Sequence, residues 1–169
     1  MGENPSLLRL GMKPCTQRSN ALLRIDERRF FWHAGWMGKK GNYWTGAHTK
    51  HRLKYHVVWV PKYRKRILRG KIVIRLKELF RRCAEINSWY IEELNIQIDH
   101  VHMLVQLTPN TSVAKAVQLF KGGSSRIIRT EYSELEEFLW GDSFWSDGYF
   151  AETVGIAQEE MIKRYIREQ

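Results

Sequence analysis

Residues 98–107 have the sequence IDHVHMLVQL, a mostly apolar run that carries two histidines one residue apart. Because side chains alternate between the faces of a β-strand, Val101 and Met103 share one face while His100 and His102 share the other. The apolar face is suited to packing against helices. The other face places two imidazoles side by side, about 6–7 Å apart at the backbone, which is within reach of one metal ion. Ordinary, partly buried histidines are the alternative to a metal site.

Three further segments predict the strands that pair with this one. Residues 54–61, KYHVVWVP, are apolar on both faces and predict a central strand that ends at the proline. Residues 89–98, WYIEELNIQI, predict a strand that forms a hairpin with residues 100–107 across a turn at Asp99. Residues 144–155, FWSDGYFAETVG, predict an edge strand.

Helices are predicted between these strands. Apolar residues recur at helical spacing over 71–87 and again over the terminal segment 156–169. Ser112 is a candidate N-cap for a long helix that is interrupted at Gly122 and Gly123. The resulting order is β-α-β-β-α-β-α. It predicts an α+β fold, the ferredoxin-like or RRM-like plait, in which an antiparallel sheet carries helices on one face and gains a C-terminal helix.

The domain is expected to occupy residues 47–169. Residues 1–46 show no periodic pattern and are rich in glycine, aromatic residues and positive charge, which predicts a poorly ordered N-terminal extension. Met37 is an alternative start, in which case residues 1–36 lie upstream of the translated protein. A genuine N-terminal arm is the other interpretation.

The net charge of +10 is unevenly distributed along the 169 residues. Residues 50–82 contain 13 Lys and Arg and one acid, whereas residues 131–160 contain nine Asp and Glu and neither Lys nor Arg. This asymmetry by itself is equally consistent with a polyanionic partner and with an ordinary solvated helix face. Tyr55, Trp59 and Tyr63 are interleaved with the cations, and aromatic rings among cations are typical of surfaces that bind unpaired bases.

The sequence offers nothing that predicts attachment to a membrane or secretion. No apolar run approaches the ~20 residues that a membrane-spanning helix requires. The apolar stretch near the N-terminus is too short for a secretory signal. The expected compartment is therefore the cytoplasm, with no membrane partner.

The terminal helix places a second pair of polar side chains on one face. Tyr165 and Gln169 are four residues apart and so are neighbours on the helix surface. Ile162 and Ile166 flank this face and are suited to packing against the sheet. Taken alone, the pair is better explained as a boundary tyrosine and a frayed last turn.

Five stretches together resemble a known family. They are HTKHRLKYHVVWVPKYRKRIL (48–68), DHVHMLV (99–105), SVAKAVQLFKGGSSRII (112–128), FWSDGYFAETVG (144–155) and EEMIKRYIREQ (159–169). In this order they resemble the single-tyrosine HUH transposases of small bacterial insertion sequences, whose name describes two histidines around a hydrophobic residue. The transposases associated with repetitive extragenic palindromes are relatives of that family.

The resemblance implies a catalytic role for four residues. His100 and His102 correspond to the histidine pair, Tyr165 to the nucleophile, and Gln169 to a third metal ligand. It also implies a divalent metal, Mg²⁺ or Mn²⁺, and single-stranded DNA hairpins at the element ends as the substrate. Cleavage through a 5′-phosphotyrosine and a homodimer are implied as well. In that dimer, the hinge at Gly155 would allow each terminal helix to complete the partner subunit's site.

Two basic segments are the expected DNA contacts. One follows the first predicted strand, and the other surrounds the paired glycines, where a simple helix kink is the alternative explanation. The candidates are Lys62, Arg64, Lys65, Arg66, Lys121, Ser124, Ser125 and Arg126.

Several competing interpretations remain open at this stage. Tyr149 is a second candidate nucleophile, although its place on a strand favours a structural role. His56 is expected in the core or beside the ligands, and Asp99 is expected in a turn from which it is able to orient an imidazole. A non-catalytic RNA- or DNA-binding plait domain is the alternative function. A domesticated HUH endonuclease that cleaves palindromes is another.

Overall fold

The structure is a computed structural model that describes residues 38–40, 43–45, 48–139 and 143–169. Most of the predicted extension, including Met37, lies outside the described residues. Strands β1 (Gly38–Lys40), β2 (Tyr43–Thr45) and β3 (Lys50–His51) form a small antiparallel sheet in that order. The sequence analysis did not identify these strands, because two- and three-residue strands are too short to show a period.

The main sheet has four antiparallel strands. They are β4 (Lys54–Trp59), β5 (Tyr90–Ile96), β6 (Val101–Gln106) and β7 (Phe150–Thr153), in the spatial order β5-β6-β4-β7. The helices are α1 (Lys71–Ile86), α2 (Val113–Glu131), the short α3 (Glu136–Leu139) and α4 (Ile156–Glu168). Strand and helix order together form the ferredoxin-like plait with an additional C-terminal helix, so the predicted fold is confirmed.

One face of the sheet forms the main core with α1 and α2. Val101 and Met103 are fully buried on this face, as the alternation along β6 predicts. Trp59 of β4 has its ring centroid 5.5 Å from that of Phe80 on α1 and 6.4 Å from that of Phe120 on α2. These large aromatic side chains fill the space between sheet and helices, where burial of apolar area is the main stabilising force.

Helix α2 is continuous, so the predicted interruption at Gly122 and Gly123 is wrong. Each glycine disfavours a helix by about 1 kcal/mol relative to alanine. Phe120 and Ile128, which lie on either side of the glycines, are buried on one helix face, and that packing outweighs the local preference. Ser112 caps the helix as predicted, because its hydroxyl accepts a first-turn backbone N–H at 3.2 Å.

The opposite face of the sheet carries α4. Leu104 of β6 is buried against Ile162 and Ile166 of the helix, together with Val154. The Asn95 side chain of β5 also donates a hydrogen bond of 2.6 Å to the backbone carbonyl of Ile166. Helix α4 is therefore docked on the sheet of its own chain by apolar packing and by a capped C-terminal carbonyl.

A buried ion network forms the other half of this docking. Lys54 of β4 is 4% exposed, and its Nζ lies 2.8 Å from a Glu92 oxygen and 2.6 Å from a Glu159 oxygen. Arg52 pairs with the second oxygen of Glu159, and Lys163 Nζ lies 2.6 Å from Glu159 and 3.3 Å from Glu92. Glu159 and Lys163 belong to α4, so the network ties the helix to β4 and β5.

The pKa of Glu159 reflects this network. Burial alone would raise the pKa of the carboxyl, but hydrogen bonds from Lys163, Lys54 and Arg52 outweigh burial and lower the pKa to about 2. A carboxyl with a depressed pKa stabilises the fold fully above its unfolded pKa of about 4.3, and this contribution is lost as the pH falls toward 2.

Replacing Glu159 is expected to destabilise the protein in a pH-dependent way. Glu159→Gln should lower the free energy of unfolding by about 3 kcal/mol at pH 7, because it removes one of the two carboxylates that offset the charge of three largely buried cations. The difference from wild type should shrink as the pH falls from about 4.5 toward 2. Urea unfolding at several pH values measures both effects. Glu160→Gln is the matched control, because the neighbouring Glu160 side chain is exposed and should change stability by less than about 0.5 kcal/mol.

Candidate active site

Two imidazoles meet at the N-terminal end of β6. His102 lies on the strand, and His100 directly precedes it. Their ring centroids are 4.8 Å apart, with the planes at 79°. Both rings lie on the face that carries α4, as the alternation along the strand predicts.

Tyr165 of α4 lies beside this pair. Its ring centroid is 5.5 Å from that of His102 and 6.3 Å from that of His56. The tyrosine is 47% exposed, so one side of the ring contacts the histidines while the rest faces solvent. Tyr149, the competing candidate, directly precedes β7, and the structure records no ring contact between it and these histidines among the described residues.

The position of Tyr165 bears on the expected composite site. The sequence analysis expected the terminal helix to complete a partner subunit's site. In the structure of the single chain, the tyrosine lies beside the histidines of that chain. The docking of α4 holds it there, since Ile162, Ile166, Glu159 and Lys163 all contact the chain's own sheet.

A carboxylate orients His100. Asp99 Oδ1 lies 2.6 Å from His100 Nδ1, and Arg64 Nε donates to the other Asp99 oxygen at 3.0 Å. The hydrogen bond with His100 is the main cause that lowers the pKa of Asp99. A carboxylate only accepts hydrogen bonds, so Nδ1 of His100 carries a proton, and in the neutral ring Nε2 keeps a lone pair. The turn residue Asp99 therefore also has the orienting role that was one of its two interpretations.

A second histidine orients His102. His56 Nε2 lies 3.1 Å from His102 Nδ1, and Glu152 Oε1 lies 2.9 Å from His56 Nδ1. His56 and His102 are 5% and 4% exposed. Burial is the main cause that lowers the pKa of His102 to about 4, and the nearby His100 and His56 lower it further. His102 is therefore a neutral imidazole at physiological pH, the form that binds metal ions.

Gln169 is held by fewer contacts than the two histidines. It follows the last residue of α4, is exposed, and makes no hydrogen bond within the described part of the chain. Across the residues that the structure describes, no group of three or more His, Cys, Asp and Glu side chains is able to hold a metal ion. The candidate ligand set is thus two imidazoles and, if the terminal turn adjusts, one amide.

Two of the expected DNA contacts have structural roles instead. Ser124 is 2% exposed, and its hydroxyl accepts a hydrogen bond of 2.9 Å from the Trp145 indole while donating to the Phe120 carbonyl at 2.6 Å. Lys121 Nζ donates to three carbonyls of residues 146–148, at 2.6, 3.0 and 3.2 Å. Burial lowers the pKa of Lys121. Because neither side chain is available to a phosphate, we exclude both from the DNA interface.

The remaining candidate DNA contacts on α2 lie on the exposed part of the helix. Ser125 and Arg126 line an open depression of about 450 Å³ together with Gly122, Arg129 and Thr130. A Cβ atom added at Gly122 would meet nothing within 4 Å. The surface beside the glycines is therefore open to close approach by a ligand backbone.

The loop after β4 carries the other candidate DNA contacts, which surround the exposed ring of Tyr63. Tyr55 and Trp59 pack in the core, so these two aromatic residues do not reach bases. Tyr63 is 57% exposed and, like Arg64, has a positive φ, 57° and 51° respectively. Such a backbone is strained for residues with side chains and is held only where the surrounding structure enforces it. Lys62 Nζ lies 5.6 Å from the centroid of the Tyr63 ring.

Lys65 and Arg66 complete this basic loop. Arg66 is exposed, and its carbonyl accepts a hydrogen bond of 2.7 Å from Arg69. The contact between Arg64 and Asp99 joins the loop to the histidine pair.

Sequence reasoning missed Glu152 and the ion network around Glu159. Both depend on contacts between residues far apart in the chain. A partial signal existed, because pairing β7 with β4 in the observed register places Glu152 opposite His56. The register itself was not predictable from the sequence.

The sequence and the fold of this chain are similar to those of known transposases. Residues 49–169 match the family described as "Transposase IS200 like". The chain is 34% identical over 119 residues to the ISDra2 transposase TnpA of Deinococcus radiodurans, covering 70% of this chain and 85% of that protein. It is 32% identical over 123 residues to the transposase for insertion sequence element IS200 of Salmonella typhimurium, covering 73% and 80%.

Two solved structures are similar. A crystal structure from Deinococcus radiodurans, described as that of a transposase, superposes with a TM-score of 0.61 at 30% identity and covers 78% of this chain and 98% of that one. A REP-associated tyrosine transposase bound to a REP hairpin superposes with a TM-score of 0.53 at 10% identity, covering 77% and 70%, and this likeness shows the fold. Among the described residues, none of the helices combines the length and the apolar character that a membrane span requires. With a family match that covers nearly three quarters of its length, the chain belongs to the IS200-like transposases.

Proposed function

We propose that this transposase is a metal-dependent enzyme that cleaves and rejoins single-stranded DNA at hairpin-containing element ends. The observation that carries the proposal is the position of Tyr165, whose ring lies 5.5 Å from that of His102 and next to the His100–His102 pair. A non-catalytic plait domain would not require a half-exposed phenol beside two oriented imidazoles.

The histidine pair fits a divalent metal ion. Asp99 engages Nδ1 of His100, and His56 engages Nδ1 of His102, so both Nε2 atoms remain as ligand atoms. Imidazole favours Mn²⁺ over Mg²⁺, whereas availability in cells favours Mg²⁺. Gln169 would supply an amide oxygen as the third protein ligand. When bound, such an ion polarises the scissile phosphate and offsets its negative charge.

The proposed chemistry is a transesterification that needs no external energy source. The Tyr165 phenol loses its proton, its oxygen forms a bond to phosphorus, and the bond between phosphorus and the 3′-oxygen breaks. The leaving oxygen takes up a proton and becomes a free 3′-hydroxyl. The product is a 5′-phosphotyrosine, which a 3′-hydroxyl attacks in the reverse sense to rejoin strands.

The DNA interface that we propose consists of the basic loop and the open surface of α2. Its residues are Lys62, Arg64, Lys65, Arg66, Ser125 and Arg126. A hairpin as ligand is supported by the family, by the net charge of +10 and by the fold shared with a transposase bound to a REP hairpin. The family resemblance also supports a homodimer that acts in the cytoplasm, and the docking of α4 on its own sheet favours a subunit that uses its own histidines and tyrosine.

The direct test is an adduct assay with a labelled single-stranded hairpin that carries the element end. Wild-type protein with Mn²⁺ or Mg²⁺ should form a covalent protein–DNA adduct that survives denaturation. Neither chelated protein nor a duplex of the same sequence should yield the adduct. Hairpin binding without any adduct would favour the non-catalytic plait domain. A domesticated endonuclease would form the same adduct, and only palindromes in the DNA flanking the gene distinguish it from a mobile element's transposase.

Tyr63 is expected to stack on an unpaired base beside the scissile phosphate. Tyr63→Ala should weaken binding of the single-stranded substrate roughly tenfold, because a stacked base contributes about 1–3 kcal/mol. Fluorescence anisotropy measures the affinity. An abasic nucleotide at the stacked position should weaken binding to wild type but not to Tyr63→Ala.

Tyr63→Phe is the control for this prediction. It keeps the ring and should bind like wild type. If Tyr63→Ala and wild type respond equally to an abasic nucleotide at every position, the ring does not stack on a base.

A further inference from the structure

Three side chains from three strands form a hydrogen-bonded chain that ends at the proposed metal site, with His56 and His102 buried and Glu152 exposed on the edge strand. The register of β4 and β7 places His56 directly opposite Glu152, and β6 places His102 beside β4. Glu152 Oε1 lies 2.9 Å from His56 Nδ1, and His56 Nε2 lies 3.1 Å from His102 Nδ1. The rings of His56 and His102 are stacked, with planes at 12° and centroids 5.3 Å apart.

The chemistry of the donors and acceptors determines where each proton lies. The Glu152 carboxylate only accepts, so His56 Nδ1 carries a proton. When the His56 ring carries only that proton, its Nε2 is an acceptor and His102 Nδ1 donates to it. Nε2 of neutral His102 is consequently left with a lone pair.

We propose that Glu152 and His56 are positioning residues that hold His102 in the tautomer whose Nε2 binds the divalent ion. This inference rests on the proposed function, because it concerns the metal site of that enzyme. It assigns a role to two residues on β4 and β7, neither of which would be a ligand of the ion.

The two metal ligands are thus oriented by separate carboxylates. His100 is held directly by Asp99, whereas His102 is held by Glu152 through an intervening imidazole. The intermediate ring is needed because Glu152 lies on the edge strand β7, and β4 separates β7 from β6. Partners of this kind commonly change metal affinity 10- to 100-fold when they are removed.

The test uses the full chain and Mn²⁺ as the probe. Glu152→Ala should weaken Mn²⁺ binding, measured by calorimetry or by the EPR signal of free Mn²⁺, by roughly 10- to 100-fold. Glu152→Gln, which keeps an oxygen acceptor, should recover most of the affinity. Thr153→Ala is the matched control, since its side chain is exposed on the same strand and points to the other face. Urea unfolding checks that all variants are folded.

A second measurement reports the tautomer without any metal. The ¹⁵N chemical shifts of metal-free wild type should show the His102 proton on Nδ1, and Glu152→Ala should shift protons toward Nε2. A wild-type His102 that carries its proton on Nε2 overturns the inference. Unchanged Mn²⁺ affinity in a folded Glu152→Ala protein overturns it as well, while leaving the metal site intact. Wild-type protein that binds no Mn²⁺, or a His100→Ala/His102→Ala protein that binds it equally well, contradicts the proposed metal site itself.

Discussion

Tyr165→Phe should abolish the covalent protein–DNA adduct and lower hairpin cleavage by a factor on the order of 10³ or more. In the proposed mechanism the phenol oxygen is the atom that bonds to phosphorus, and phenylalanine lacks it. Phenylalanine keeps the ring that contacts His102 and His56, so folding and hairpin affinity should change little. Denaturing gels with end-labelled hairpin measure the adduct and the cleaved strand.

Tyr149→Phe is the control for the nucleophile. Tyr149 is exposed next to β7, and its hydroxyl has no role in the proposed chemistry. An adduct that persists in Tyr165→Phe and vanishes in Tyr149→Phe would show that the nucleophile is misassigned.

A mixing experiment tests whether the tyrosine acts within its own chain. His100→Ala/His102→Ala and Tyr165→Phe proteins are each expected to be inactive. Because α4 is docked on its own sheet, mixing them should not restore cleavage, even after subunit exchange has been demonstrated. Recovered cleavage would show that the helix carrying Tyr165 completes the partner subunit's site.

The second large effect is expected at the histidines. His100→Ala and His102→Ala should each lower metal-dependent cleavage by a factor on the order of 10² or more and abolish tight Mn²⁺ binding, because each removes one of two imidazole ligands. Hairpin affinity should stay within a few-fold of wild type, since it depends mainly on Lys and Arg contacts to phosphates. Cleavage assays and Mn²⁺ titration measure the two effects separately.

His48→Ala is the matched control, because His48 is an exposed histidine outside the main sheet. It should cleave and bind metal like wild type. Wild-type cleavage that continues at full rate in excess chelator would contradict metal dependence, and an unchanged rate in both His100→Ala and His102→Ala would contradict the ligand assignment.

Local patterns were sufficient to predict the plait and the histidine pair. Alternation along residues 98–107 assigns Met103 to the core and His102 to the opposite face, and the structure shows this division. The order of strands and helices, together with five motifs in family order, predicted the fold and the family. These features depend on neighbours two to four residues apart, whose spacing is visible in the sequence itself.

Only the tertiary structure decided which side chains surround the site. Glu159 meets Lys54 across 105 positions, and His56 meets Glu152 across 96. Such contacts leave no periodic trace, because they depend on strand register and on the face of α4 that meets the sheet. The same limit explains why Ser124 was wrongly expected at the DNA interface. The sequence shows that Ser124 lies on an amphipathic helix, but it does not show the hydrogen bond that Ser124 accepts from the distant Trp145. The sequence alone thus identified the candidate reactive side chains, whereas packing between distant segments decided how they are oriented and that Tyr165 lies beside the histidine pair.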